Sequence, residues 1–411
     1  MEGLARMLQN PYGSSENLLG RMLIVEDLTA DLVELLGSSL EIDPLFFASH
    51  LHTSRSRKTA KLPDTRLLPS AAKHLKFLSA TYHRPISFAA DPVPGKLLCD
   101  ANVWRKVGAW PAPNSVSVGY AMRVFSTLVN FNNSGIWFGL ALVDPPVGNT
   151  FFMDGRGQQE AQTPVLLRSE QFQGGYDAFP FTKPSSSEGV HSPPRCSLFD
   201  DLIYCWMEEL PSVFDPRAPT LLSLSYYPLK IIVAEWMNFA NLMHYTVENL
   251  EYSIEDLSTS LSEFQRLESD LRRLQGWRRR VVGSSSKMDS LTHAIKSLSS
   301  EPPFLETWES LLGDIEHVIY RTNMYGQRLD ALVPVLSSYV QVVESRGSIA
   351  EAKSITRLTY LALVFLPLTF VSGLFSMSED ILPGRKNFWI YFAVAIPLTV
   401  VVLFTVARLL T

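Results

Sequence analysis

Two uncharged stretches near the C-terminus constrain this chain more than anything else in it. Leu358–Met377 and Phe388–Ala407 each run 20 residues without an Asp, Glu, Lys or Arg. At about 1.5 Å rise per residue, a helix of that length is about 30 Å long, the thickness of a bilayer's hydrocarbon core. A core helix of a soluble protein of that length keeps a charged face. The sequence therefore predicts two membrane-spanning helices, 358–377 and 388–407, joined by Ser378–Asn387 with Pro383-Gly384 as its turn signal. Two passes return the chain to its starting side. Arg346, Lys353, Arg357 and Arg408 flank that side, against Arg385 and Lys386 in the loop, so it is expected to be cytosolic. The first 25 residues lack a basic start followed by an apolar run, and Glu2 and Glu16 argue against a mitochondrial presequence. The reading is a multi-pass membrane protein with both termini in the cytosol, in the plasma membrane rather than an organelle.

The rest of the composition excludes several classes. Of 411 residues, 36 are Lys or Arg and 41 are Asp or Glu, a net charge of −5, so no basic surplus exists for nucleic acid. An apolar fraction of 46% against 19% charged excludes general disorder. Cys99, Cys196 and Cys205 form no paired spacing. Walker A, G-x-G-x-x-G after a strand, H-E-x-x-H and G-x-S-x-G are all missing, so the chain does not read as an enzyme. No motif implies an organic cofactor. His50 with His52 is the one close histidine pair and reads as a surface feature.

The N-terminal part mixes strands and helices. Met22–Val25 is strand-like, Thr29 is positioned to cap a helix over Ala30–Leu36, and Asp43-Pro44 starts a second helix through Leu51. His52, Arg55, Arg57, Lys58 and Lys61 read as a solvated loop, with lipid headgroups as the alternative contact. Tyr120–Asn130 and Ile136–Val143 flank a turn at Asn132, Asn133 and Gly135 and read as a β-hairpin. Lys183–Arg195 is rich in Ser and Pro and reads as a loop.

From Leu229 the apolar period becomes helical. Leu229, Ile232, Trp236, Phe239, Met243, Val247, Leu250, Ile254, Leu257, Leu261, Phe264, Leu267, Leu271 and Leu274 form one stripe, predicting a helix of about 45 residues. Gly276 and the Gly283–Ser286 run are expected to end it. A second stripe, from Trp308 through Leu311, Ile315, Val318, Leu329, Leu332, Leu336 and Tyr339 to Val343, continues toward the first span, with possible bends at Pro334 and Gly347. The expected organisation is an α/β domain over 1–220, long helices over 221–350 and the hairpin over 351–411.

A single hairpin has one contact seam and cannot enclose an ion path, so conduction requires several copies. On the first span, Ile355, Leu358, Ala362, Leu366, Thr369, Gly373 and Ser376 follow steps of three and four and share one face. That face is aliphatic at the cytosolic end and small or polar toward the loop. It can line a pore with a gate at Ile355 and Leu358, or pack against another helix.

The block Phe365-Leu366-Pro367-Leu368-Thr369-Phe370-Val371-Ser372-Gly373-Leu374-Phe375-Ser376-Met377 resembles the first membrane helix of the CorA superfamily of divalent-cation channels, which includes magnesium channels and ZntB-type zinc transporters. The resemblance is strong over 309–411. Glu26-Asp27-Leu28 and Ile42-Asp43-Pro44-Leu45-Phe46-Phe47 resemble the fungal branch. The resemblance implies an α+β chain: a cytosolic α/β/α domain, long stalk helices leading into the two-helix transmembrane hairpin, and a homopentamer in the lipid bilayer. It implies passive flux of Mg2+ as both cargo and regulator, through a pore lined by the first span. The mouth would be formed by Ser376, Met377, Ser378, Glu379 and Asp380. Where the family has Gly-Met-Asn, this chain has Ser376-Met377-Ser378, which shortens the polar group facing a hydrated ion. Neither span holds a His, Cys or carboxylate, so no tight transition-metal site lies within the membrane. Glu379 and Asp380 would concentrate cations at the mouth. Glu248, Glu251, Glu255, Asp256, Glu263, Glu268 and Asp270 are candidates for a regulatory metal site, with a solvated helix face as the other reading. The alternatives to a magnesium channel are a zinc-preferring ZntB-like transporter and a membrane-anchored sensor or adaptor that keeps the scaffold without conducting.

Overall fold

In the computed structural model, the described residues are 2–13, 18–51, 75–92, 97–110, 116–153, 163–172, 197–208, 210–255, 261–299, 306–377 and 387–410. The chain divides into two compact units. One comprises Met1–Asp256 and Arg272–Leu332, the other Leu257–Leu271 and Val333–Thr411.

Among the described residues the first unit holds a mixed nine-stranded sheet. Its strands are β1 (Gly20–Glu26), β2 (Phe77–Phe88), β3 (Leu97–Cys99), β4 (Lys106–Trp110), β5 (Ser117–Phe131), β6 (Trp137–Val143), β7 (Thr150–Met153), β8 (Thr163–Leu166) and β9 (Ser169–Gln171). The main path runs β1-β6-β5-β4-β3-β7-β8, and β2 pairs with both β5 and β9. Only β1 on β6 is parallel among these pairs. The expected hairpin is β5–β6, with Phe131 opposite Trp137. Its turn is held by Asn132, whose Oδ1 accepts from Ser134 N at 3.0 Å and Ile136 N at 2.8 Å. Gly135 takes φ +79°, a conformation that a side chain disfavours.

Strand β5 organises the sheet. One edge is paired along its length by β2, while the other is shared: β4 covers Val118–Ala121 and β6 covers Phe125–Phe131. Val124 falls in the gap, and its N–H donates to Asp144 Oδ2 at 2.7 Å. Asp144 follows β6 and Arg105 precedes β4, so the gap brings them together. Arg105 Nε and Nη2 donate to the two carboxylate oxygens at 2.8 Å each, and Nη2 also donates to His50 O at 2.8 Å. Both residues are buried. A carboxylate thus satisfies a backbone donor that neither neighbouring strand reaches, and the bidentate guanidinium neutralises it.

Helices α1 (Glu2–Gln9), α2 (Ala30–Leu40) and α3 (Pro44–Leu51) share a core with β1, β2, β5 and β6 that includes Leu8, Leu36, Phe46, Phe77, Leu128 and Leu140. The capping expectations hold: Leu32 N donates to Thr29 Oγ1 at 3.2 Å, and Leu45 N to Asp43 Oδ1 at 2.8 Å. Helix α2 runs one turn beyond Leu36, and Glu41 ends it in the left-handed conformation. Helices α4 (Leu198–Glu208), α5 (Leu221–Leu224) and α6 (Tyr226–Glu255) follow in this unit, and α7 (Leu261–Leu298) belongs to it from Arg272 on. Then come α8 (Glu306–Phe375) and α9 (Trp389–Leu410).

The first stripe is borne out on α6, where Leu229, Ile232, Trp236, Phe239, Met243, Val247 and Leu250 are all buried. Its predicted length is not. Helix α6 is described to Glu255 and α7 begins at Leu261, and α7 runs through Gly276 and Gly283 to Leu298 instead of ending there. Each glycine weakens a helix by about 1 kcal/mol against Ala. The burial of Trp277, Val281, Met288, Leu291 and Ile295, spaced on one face, outweighs that cost. The second stripe is continuous in α8, 70 residues that carry Pro334 and Pro367 within the helix.

Candidate functional site

Within the second unit, the C-terminal half of α8 is long and apolar enough to cross a membrane, with mean hydropathy 2.0 in an 18-residue window of which only 11% is buried. A soluble core helix of that composition is buried; this one presents its apolar side chains outward. Helix α9 carries a shorter apolar run, Trp389–Thr405. The sequence placed the end of the first span at Met377. The helix itself ends at Phe375, where Ser376 N donates to Ser372 O at 2.9 Å and Met377 N reaches Leu374 O at 3.4 Å.

Buried and half-buried side chains mark the covered face of α8. Pro367 and Val371 are buried, and Val364, Leu368 and Phe375 are partly covered. On α9, Ala395 is buried, with Tyr391 and Thr399 partly covered. The Tyr391 hydroxyl reaches Leu368 O at a long 3.4 Å, which fixes the two helices side by side at that level. Ala395 is small, which lets a neighbouring helix come near at that point. Pro367 has no N–H, so the Leu363 carbonyl lacks its usual helical donor.

All seven residues of the sequence-predicted pore face are exposed, with Ile355 at 63%, Leu358 at 64% and Leu366 at 70%. At 3.6 residues per turn, the mean direction of Ile355, Leu358, Ala362, Leu366, Thr369, Gly373 and Ser376 lies about 160° around the helix from the covered face. The hairpin is thus closed with the side of α8 opposite to the predicted pore face. A Cβ built on Gly373 meets nothing within 4 Å, so that glycine is not used for contact inside the hairpin. Thr369 Oγ1 donates to its own helix, to Phe365 O at 2.8 Å and Leu366 O at 3.0 Å. Its one donor is thereby occupied, and its oxygen keeps acceptor capacity on the exposed face.

Ser376 and Met377 are exposed just past the helix end, where the carbonyl end of the helix dipole favours positive charge. Ser378, Glu379 and Asp380 lie outside the described residues, as do His52, Arg55, Arg57, Lys58, Lys61, Lys183–Arg195 and Asp256. Among the candidate regulatory carboxylates, Glu248 pairs with His244 Nε2 at 3.2 Å, and Glu251 accepts from Arg328 Nε at 3.2 Å. Asp270 is buried. The side chains of Glu255, Glu263 and Glu268 also fall outside what is described. Among the described residues no group of three or more His, Cys, Asp or Glu is arranged to hold a metal.

The histidine expectation is corrected. His50 is not a surface residue: it is fully buried on α3, its Nδ1 3.1 Å from Ser126 Oγ and its Nε2 3.7 Å from Asp144 Oδ1. Burial pushes its pKa down to about 4, with Asp144 opposing that shift and Arg105 adding to it. Asp144 is held below the usual carboxylate range by Arg105, against the effect of its burial. No local spacing signals this cluster, because Arg105 and Asp144 stand 39 residues apart and meet only through strand pairing.

Residues 231–410 match the family model described as CorA-like Mg2+ transporter protein. Among solved structures, the complete structure of the CorA magnesium transporter from Methanocaldococcus jannaschii is similar, at 14% identity and a TM-score of 0.43, covering 96% of this chain and 92% of that one. No curated protein matches the chain.

Proposed function

We propose, from the match of residues 231–410 to the CorA-like Mg2+ transporter family, that this chain is a passive channel for hydrated divalent cations, with Mg2+ as its cargo. The observation that carries the reading is the division of labour on α8. One face closes the hairpin with α9, and the opposite face, Ile355 through Ser376, is left without a partner in a single copy. Several copies, five in the pentamer we propose, bring those faces together around an axis. Leu358 and Ile355 then form a dewetting constriction, while Thr369, Gly373 and Ser376 form the wider polar end. Mg2+ keeps several waters when bound, so recognition operates through hydrogen bonds to that shell and not through direct ligation. Ser376, Met377 and Ser378 would contact it at the mouth, and Glu379 and Asp380 would raise its local concentration.

The fold supports the coarser placement: a mixed α/β sheet unit, a long apolar helix and a shorter C-terminal helix. We assign the sheet unit to an α/β/α cytosolic domain, with both termini cytosolic and the plasma membrane as the resident bilayer. The partition into 1–220, 221–350 and 351–411 is kept as the functional division. In this reading the chain performs no bond chemistry.

The test is cation flux in liposomes containing the purified oligomer, comparing Mg2+, Zn2+, Co2+ and Ni2+. Flux led by Mg2+ supports the assignment, and flux led by Zn2+ moves it to a ZntB-like transporter. No flux of any ion from correctly folded oligomers makes the chain a membrane-anchored sensor, the reading that the altered Ser376-Met377-Ser378 motif favours.

A further inference from the structure

Between β2, β4, β5, α6 and α7 of the first unit lies an aromatic cluster that the transport reading does not use. His83 sits 4.3 Å from the Tyr120 ring, 4.8 Å from Trp236 and 4.7 Å from Phe239. Trp110 stacks on Trp277 at 4.4 Å, and Trp277 lies 6.0 Å from Phe239. The Arg280 guanidinium is 4.6 Å from the Trp110 ring and 5.5 Å from Trp277. Gly108 opposes Tyr120 across β4–β5, where a Cβ would come within 2.6 Å of that ring, so the glycine makes room for it.

The polar atoms of this cluster are nearly all donors, and they are left over. Trp236 Nε1, Trp277 Nε1, Arg280 Nε and Nη1, and His83 Nδ1 are buried without a hydrogen-bond partner among the described residues. Trp236 and Trp277 are each 1% exposed and His83 4%. The state of His83 follows from its neighbour. An ammonium can only donate, so Lys287 Nζ, 3.1 Å away, donates to His83 Nε2, and a neutral ring then carries its proton on Nδ1. Burial, then Lys287, Arg280 and Lys106, hold its pKa well below the ordinary value, so the ring is neutral. The charges acting on it are all cationic. Buried donors left unmade are costly, and native interiors rarely keep several together. A region that offers ring N–H groups and a guanidinium has the chemistry of an anion site.

We propose that this cluster is a binding site for a small inorganic anion of the halide type, held by Arg280 with the indole N–H groups of Trp236 and Trp277 and the Nδ1–H of His83. A monatomic anion suits single N–H donors set among close rings, whereas phosphate or carboxylate needs a wider fork of donors. Because Arg280 and the indole N–H of Trp277 belong to α7, and His83 and Trp236 to β2 and α6, occupancy ties three elements together.

The site is tested on the purified full chain in detergent, with sodium bromide titrated against sodium gluconate at constant ionic strength. Tryptophan fluorescence and the thermal midpoint are both read. Bromide is expected to give a saturable quenching component and a rising midpoint, as for any ligand bound by the folded state alone. Arg280→Met keeps the apolar stem and should raise the apparent Kd about tenfold to a hundredfold, the range of a charged hydrogen bond. Arg280→Lys keeps the charge and should fall between the two, and it supplies the comparison if the methionine variant does not fold. No saturable response as bromide replaces gluconate, or one unchanged in both variants, overturns the proposal and leaves the donors to water. None of these readouts depends on cation flux.

Discussion

Acidification should destabilise the sheet unit through His50, and the size of the effect can be worked from its surroundings. The ring is fully buried, its Nδ1 is engaged with Ser126, and the one nearby carboxylate is already taken by Arg105 and the Val124 amide. Folding therefore lowers its pKa from 6.5 to about 4. Above pH 6.5 neither state binds a proton at this site, and its contribution is fully present. As pH falls below 6.5 the unfolded chain takes up the proton first, so stability is lost progressively until pH falls through about 4. The whole shift corresponds to about 3 kcal/mol, of which about 2 kcal/mol is lost between pH 7 and pH 5. The assay is urea unfolding of the full chain in detergent, followed by tryptophan fluorescence at a series of pH values. The comparison variant is His50→Asn, whose amide can keep the bond to Ser126 and does not titrate. The variant should be less stable at pH 7, because the smaller side chain leaves a gap, but its loss between pH 7 and 5 should be smaller by about 2 kcal/mol. Equal pH slopes for the two proteins would refute the burial argument.

Three further outcomes follow from the same geometry. Asp144→Ala strands Arg105 in the core and leaves the Val124 amide unpaired, and should cost about 3–5 kcal/mol in equilibrium unfolding, far more than an exposed pair such as Arg168–Glu170. Ala395→Leu puts a larger side chain into the covered face of the hairpin, and should lower the detergent thermal midpoint by the equivalent of about 1–3 kcal/mol. Leu358→Ser alters the uncovered face, so it should leave that midpoint nearly unchanged while raising basal Mg2+ flux in liposomes; unchanged flux in a conducting protein would place the constriction elsewhere.

What the sequence determined by itself is whatever depends on neighbours in the chain. The apolar runs carried by α8 and α9, the stripe from Leu229 to Leu250, the Thr29 and Asp43 caps and the Asn132–Gly135 turn are all local, and each appears close to where its composition, period or capping chemistry put it. The first apolar helix ends at Phe375, and the second run is the shorter, Trp389–Thr405. The face from Ile355 to Ser376 was legible in the same way, since three–four spacing alone groups those residues. Spacing did not say which face of α8 the hairpin would cover. That is seen only in the structure, where Pro367 and Val371 of α8 and Ala395 of α9 are buried and the Tyr391 hydroxyl reaches Leu368 O. The glycines of α7 misled: propensity argued for a stop, and the burial of Trp277, Met288 and Ile295 decided otherwise. His50, Arg105 and Asp144 were invisible as a group because strand order brings them together. A lone histidine before a polar loop reads as surface until β5 pairs with β4 and β6 and leaves the gap that these residues fill. Local pattern fixes which elements form and what each face offers, while the burial of polar groups, and with it their charge state, belongs to the tertiary structure.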